Sequence, residues 1–550
     1  MSLHPQATYL IPEDTQRVAR AAFPHGNLYM QVADRLGPIY RDAQFAALFP
    51  TRGQPAEAPG RLALATILQF AENLSDRQAA EAVRSRIDWK YVLGLELIDP
   101  GFHHTVLSEF RTRLVTGEAE SLLLEALLTL ARAQGLLKAR GRQRTDSTHV
   151  LAALRVLNRL ERVGETLRAA LNSVAVVAPA WVQALVPPEW YDRYGSRVEN
   201  YRLPKREAAR KELAAVIGAD GQRLLRAIAA AAEQPWLQEL PAVKTLRQVW
   251  TEQYIEGNEK LRWREVTDMP SPADLIASPY DTEARYSTKR EVEWVGYKVH
   301  VTETCETDTP HLLVNVETTP ATTLDDHMVK QVHASLEPRD LLPAEHLVDK
   351  GYTDSQVLVE SQRTYGVTLL GPVADDPSWQ ACTGTGFDKS QFLVDWERQV
   401  LTCPMGKQSI SWLPHTYPKT GMTWEARFAR KDCTPCPRRA QCTRAKKEPR
   451  IVGLQTREQY EALQAVRKRQ TTPAFRQQYA PRAGVESTHA QGIRRCGLRQ
   501  ARYLGRTKTH LQHLAIAAAL NFVRLGEWFA GTPLAKTRRS PFAALQEVSA

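Results

Sequence analysis

The chain has 550 residues, 43% of them hydrophobic and 24% charged, a length suited to several domains and a composition ordinary for a globular protein. The formal net charge is +11 and the isoelectric point about 9.3, which fits a polyanionic partner, nucleic acid first, and equally a basic enzyme of ordinary kind. The opening residues carry acids early and lack a continuous apolar run, and the late stretch from Leu514 to Leu520 falls far short of the ~20 residues of a membrane helix. Neither an export signal nor a membrane span is therefore expected. Seven cysteines, four of them in one region, favour a reducing compartment and a metal site over a disulfide frame.

In chain order, residues 1–24 read as a poorly packed lead-in. From about Asn27 to Leu48 apolar residues recur at three to four, as in a helix. A Pro- and Gly-rich loop (Thr51 to Gly60) precedes a second helix through LALATILQF. Ser75 and Gln78 then form the two halves of a capping box. That helix leads through DWKYVLGL to another, TVLSEFRTRLV, with Val106, Phe110 and Leu114 on one stripe. This basic helical region, residues 1–135, is either a DNA-docking element or a bundle with solvated arginines.

The texture changes at RGRQRTDSTHV, which reads as a strand with Asp146 in its middle. A lone Asp beside Ser and Thr is usually a turn or cap residue, but this one lies inside a strand-like segment. His149 reads as a local structural partner. Residues 151–270 are helical and charged, with LAALRVLNRLERVGETLRAALNSV as a long amphipathic helix; they interrupt the strand order as a helical insertion. Trp294 to Thr304 and His311 to Thr319 alternate apolar and polar residues and form a hairpin. Asp325 and Asp326 cap a following helix. His346-Leu-Val is a short buried strand with Asp349 at its C-terminal end, where ligands of sheet-based folds gather; a turn Asp is equally common there. A helix through SQVLVESQRTYG and a strand VTLLGPV complete residues 271–373.

Residues 374–455 form a second insertion, rich in Cys and basic residues. Cys433 and Cys436 have the C-x2-C spacing of a zinc knuckle, and Cys403 and Cys442 supply two further thiolates for a structural Zn²⁺ in a zinc-ribbon-like module. The plainer reading is four reduced thiols in a small β-rich module. Its many cations suit phosphate contact. Thr456 to Gln478 is helical. In YAPRAGVESTHAQGIRR, a single helix would put Tyr479, Arg482 and Glu486 on one face. LQHLAIAAALNFVRL packs as a buried helix within residues 456–530, and residues 531–550 are a loosely ordered tail.

The Tyr-x2-Arg-x3-Glu pattern resembles the third-acid signature of bacterial insertion-sequence transposases of the DDE type. RTDSTHV resembles that family's first-acid strand and DKGYTD its second-acid motif. LSDRQAAEAVRSRIDWKYVLGL and FHHTVLSEFR resemble its helical N-terminal domain; GYKVHVTET and NVETTPATTLDD are similar to its central strands. Ile493 stands where the family has a basic residue, and Arg494 beside it is the substitute.

The resemblance implies an α/β fold with an RNase H-like mixed-sheet core, begun by residues 136–150. It implies catalytic, metal-binding acids Asp146, Asp349 and Glu486 with Mg²⁺ or Mn²⁺, and DNA contacts from Tyr479, Arg482, Arg494 and Lys298. The implied activity is cleavage at element inverted repeats and joining of 3′ ends to target DNA, in a homodimer or larger assembly on double-stranded DNA in the bacterial cytoplasm at the nucleoid. A nuclease of the same fold that does not join, and a non-catalytic DNA-binding derivative, are the alternatives.

Overall fold

The computed structural model describes residues 2–6, 9–256, 261–289, 291–417 and 421–533; the expected tail lies almost wholly outside them. The protein is a mixed α/β structure built on one six-stranded sheet. Its strands are β1 (Arg140–Leu151), β2 (Arg285–Lys289), β3 (Val292–Thr304), β4 (Leu313–Pro320), β5 (Pro343–Leu347) and β6 (Thr368–Leu370). Spatially they run β4-β3-β1-β5-β6, with β2 pairing the first part of β3 on the β4 side. Strand β3 runs antiparallel to both of its neighbours, β1 and β4, while β5 and β6 run parallel to β1. The hairpin expected around residues 305–310 is β3 and β4, with Val301 opposite Val316. Gly296 sits at φ +154° where β3 changes partner from β2 to β4, and a Cβ there would strike the Val150 carbonyl. Only glycine fits that crossing.

Strand β1 is unusual in its polarity. Gln143, Arg144, Thr145, Asp146, Ser147 and Thr148 are all buried. Most buried polar groups are bonded, and those of β1 largely are, with Gln143 Oε1 the exception. Gln143 donates to the Leu341 carbonyl. Thr145 Oγ1 lies 2.6 Å from both Thr302 Oγ1 and His346 Nε2, and Thr148 Oγ1 accepts from Arg499. These bonds run sideways to β3, to β5 and to the C-terminal segment, so the polar strand is also the sheet's cross-tie.

The helix Arg506–Phe529 lies along the β4 side of the sheet and against the helices Leu28–Leu36, Pro59–Ala71 and Leu122–Ala133. Its Asn521 side chain bonds both the N–H and the carbonyl of Leu313, in place of a further strand residue. One apolar core joins the N-terminal helices, the sheet and this helix. The opposite face is covered by Met328–Leu336 and Ser355–Tyr365, with Val466 of the helix Arg457–Gln470. The insertion helices Arg159–Val177, Glu207–Ala230 and Pro241–Gln253 have their own core. The Cys-rich region holds a third, around Phe392, Leu401, Phe428 and Val452, beside a three-stranded antiparallel sheet.

Several local expectations need correction. The lead-in contains a helix, Glu13–Ala22, anchored by buried Thr15 and Ala19. The helix expected through Leu48 stops at Gly37, which takes φ +65°, and residues Asp42–Leu48 continue as 3-10 helix. The long helix expected from Leu151 begins only at Arg159, because Leu151 still pairs with Gly296 in the sheet and Asn158 makes the true cap. The segment before Glu486 is interrupted at Pro473, whose missing N–H suits the first turn of a new helix, Pro473–Tyr479. The capping box at Ser75 and Gln78 forms as read.

Candidate active site

The register of the sheet creates the site. Arg144 of β1 lies opposite Leu347 of parallel β5, so two residues further on Asp146, in the middle of β1, and Asp349, just past the end of β5, arrive side by side. Asp146 Oδ1 accepts the Ser147 N–H at 2.8 Å. Asp349 caps the short turn Lys350–Tyr352 and accepts from the Gly351 N–H at 2.8 Å. Glu486 comes from the first turn of the helix Val485–Cys496, where the N-terminal dipole favours a carboxylate.

Tyr479, Arg482 and Glu486 do not lie on one uninterrupted α-helix. Pro481 and Gly484 break the stretch into the end of one helix, a 3-10 segment Ala480–Gly484, and a new helix at Val485. Arg482 still meets Glu486, and more. Its guanidinium lies 2.8 Å from Asp146, 2.9 Å from Glu486 and 3.8 Å from Asp349. One arginine thus links all three expected acids.

Two expected DNA contacts face inward instead. The Tyr479 hydroxyl donates to the Val348 carbonyl at 3.1 Å and its ring stacks on Phe475, so it pins the turn beside Asp349. Burial pushes its phenol up to about 12. The Lys298 ammonium bonds the Thr323 carbonyl at 2.7 Å and Asp325 at 3.2 Å and is nearly enclosed. Arg494 is exposed in the last turn of the Glu486 helix.

Asp325 does not cap the helix after it. The α-helix starts at Met328 without a side-chain cap, and Asp325 turns to Lys298 and to Ser147 Oγ at 3.3 Å. It adds a fourth carboxylate beside the Asp349 turn. Its sequence signal, an Asp pair after a strand, is equally that of a helix cap. His489 was missed altogether. It lies one helical turn after Glu486 and is 4% exposed. Among the described residues, Asp146, Glu486 and His489 are the one group of three potential metal ligands with donor atoms all within 4.8 Å of one another.

Electrostatics set this site apart. Burial raises the Asp146 carboxyl to about 6, with Asp349 and Glu486 pushing the same way and Arg482 opposing. Burial holds His489 down at about 4, a neutral imidazole at physiological pH. Behind the acids, fully buried Glu303 accepts from Arg144 and Arg524 at 2.7 Å each and from Thr488. Burial alone would raise its carboxyl, but the two arginines win and hold it at about 2. Arg144 also donates to the Pro481 carbonyl, and its guanidinium packs where a Cβ on Gly484 would be. Glu303 therefore fixes both the Arg482 segment and, through Thr488, the Glu486 helix.

The donor set fits divalent cations. Carboxylates are hard oxygen ligands, and partial burial among like charges makes a cation welcome. Arg482 supplies positive charge to the same oxygens that a bound ion would use.

The four cysteines Cys403, Cys433, Cys436 and Cys442 line one pocket of the Cys-rich module. All are free thiols, and the Cys403 sulfur accepts the Lys407 N–H at 3.4 Å. Arg439 of that module donates to the carbonyls of Cys433, Ala445 and Glu448, so this cation is structural.

The fold and site define an α/β protein with a carboxylate centre suited to divalent metal. Residues 402–526 match the family model described as transposase DDE domain, and residues 17–113 match a transposase domain (DUF772). The first match contains Glu486; Asp146 and Asp349 lie outside it. No curated protein and no solved structure shows a match. Both matches point the same way and support an insertion-sequence transposase of the DDE type, a family that acts on DNA and generally uses a divalent metal. Among the described residues, no helix is long and apolar enough to cross a membrane.

Proposed function

We propose that this transposase cuts DNA at the inverted-repeat ends of its element and joins the freed 3′ ends to target DNA, using Asp146, Asp349 and Glu486 on an RNase H-like core. The observation that carries the reading is the meeting of these three acids on Arg482. The sheet supports it: a first strand bearing one acid, a hairpin on one side, two parallel strands on the other, and a late helix bearing the third acid follow the order expected of that core.

Asp146, central and most buried, would hold the divalent cations together with Asp349 and Glu486, and bound there such ions would supply charge stabilisation for an in-line displacement at phosphorus. In cleavage, water attacks and the bond from phosphorus to the 3′ oxygen breaks; in joining, that 3′ hydroxyl attacks a target phosphate and displaces the target strand's own 3′ oxygen, which leaves as a hydroxyl. Arg482 would present its guanidinium to the scissile phosphate, a planar donor matched to phosphate oxygens. Tyr479 keeps the Asp349 turn in place, and Lys298 holds Asp325 at the rim.

The exposed cations of the Cys-rich module, among them Arg427, Arg430, Lys431, Arg438, Lys446 and Lys447, would track the DNA backbone, with Arg494 nearer the acids. Zinc on the four cysteines would fix the module's shape. The test is cleavage and joining of a labelled element end with Mg²⁺ or Mn²⁺. Wild type yields nicked and joined products, and Asp349→Asn binds the end without either. A nick without joining would mark a nuclease.

A further inference from the structure

We infer that His489 is a nitrogen ligand of the same metal centre, and that it biases the centre toward Mn²⁺ over Mg²⁺. The inference rests on the metal-dependent reading above and extends it by one residue and one metal preference.

Three independent features point to His489. The first is spacing. Glu486 and His489 lie at i and i+3 of one helix, so both side chains leave the same face. A Glu-x-x-His pair on a helix is a recurring way to present one oxygen and one nitrogen to a metal. The second is distance. Donor atoms of Asp146, Glu486 and His489 all fall within 4.8 Å of one another. A point within about 2.8 Å of all three therefore exists, and an inward movement of about 0.6–0.8 Å by each donor, within the reach of side-chain rotation, brings it to metal–ligand distances of about 2.0–2.2 Å. The third is the orphaned nitrogen. His489 is 4% exposed, and its Nε2 is buried with no hydrogen-bond partner. A buried polar atom left unpaired costs about 1–3 kcal/mol, and a metal ion is the partner that the neighbouring carboxylates make natural.

The metal preference follows from ligand chemistry. Mg²⁺ takes oxygen ligands in near-ideal octahedral geometry and dehydrates reluctantly. An imidazole in the set raises affinity for first-row transition ions relative to Mg²⁺, and of these Mn²⁺ also keeps the carboxylates as good ligands. With Asp146 and Glu486 supplying oxygen and His489 nitrogen, Mn²⁺ is the better occupant.

The test uses the full chain and Mn²⁺ alone, read by electron spin echo modulation. Wild type with bound Mn²⁺ should show ¹⁴N modulation from a directly bonded nitrogen. His489→Gln should lose that modulation and bind Mn²⁺ about tenfold more weakly, with Mg²⁺ affinity, measured by competition, changed less than threefold. Asp146→Asn should lose the bound Mn²⁺. Mn²⁺ that Asp146→Asn releases but that shows no ¹⁴N modulation in wild type would overturn the role of His489 and leave the carboxylate centre standing. Wild type that binds no Mn²⁺ at all would overturn both. The spectrum is taken on wild type, so a folding defect in His489→Gln does not blunt it.

Discussion

Asp146→Asn should make the metal-free protein more stable. The carboxyl sits at about 6 against the usual 3.8, chiefly because it is buried. At about 1.4 kcal/mol per pKa unit, the ionised form costs the fold about 3 kcal/mol relative to a neutral group of the same shape. The sign follows from linkage. A carboxyl raised in the folded state holds its proton more tightly there. The stabilisation by that proton is full below pH 3.8 and is lost as pH rises through about 6. The Asn variant should therefore exceed wild type by up to about 3 kcal/mol at pH 8, and the gain should vanish near pH 4. Arg482 is not stranded by the change, because Asp349 and Glu486 remain within its reach. The chain has several separate cores, so a single unfolding free energy is not well defined. Hydrogen exchange of the β1 peptide, compared between the two proteins at equal pH without metal, reads the local difference. Equal or faster exchange in Asp146→Asn at pH 8 would refute the reasoning.

The same proton competes with metal. At pH 5 a group with a pKa of about 6 is only about a tenth ionised, so Mn²⁺ affinity should fall about tenfold between pH 7.5 and 5 by titration; an unshifted Asp would give almost no change. His489, held at about 4, stays neutral over that range. Glu303→Gln removes the buried partner of Arg144 and Arg524 and should cost about 3–5 kcal/mol of local stability, seen as faster exchange in both β1 and the Glu486 helix. Tyr479→Phe loses the bond to the Val348 carbonyl, worth about 1 kcal/mol, and should lower cleavage severalfold without weakening DNA binding in a gel-shift assay. Metal analysis of purified protein should find one zinc per chain, lost together with compactness of the Cys-rich module in Cys433→Ser.

Much of the frame was legible in the sequence. The hairpin of β3 and β4 followed from period-two alternation, and the Ser75 helix from its capping box. Asp146 was harder, since its strand is buried in spite of polar residues; periodicity has no signal for a strand whose burial is met by sideways hydrogen bonds. The Tyr479–Glu486 stretch misled because helical spacing was applied across Pro481 and Gly484, both visible breakers. Arg482 nevertheless reached Glu486, since a 3-10 turn brings residues four apart close enough for a long side chain. Asp325, His489 and Glu303 were not legible. Each draws its meaning from residues distant in sequence: Asp325 from Ser147 and Lys298, His489 from Asp146, and Glu303 from Arg144 and Arg524. An isolated Asp, His or Glu carries no such mark.

The most direct measurement is end cleavage and target joining by the full-length protein with Mn²⁺, wild type beside Asp146→Asn, Asp349→Asn and Glu486→Gln, each first shown to bind the end. The account predicts nicking and joining by wild type, and binding without either by all three variants. Wild-type activity in any one of the three would contradict the assignment of that acid, and activity in all three would contradict the account.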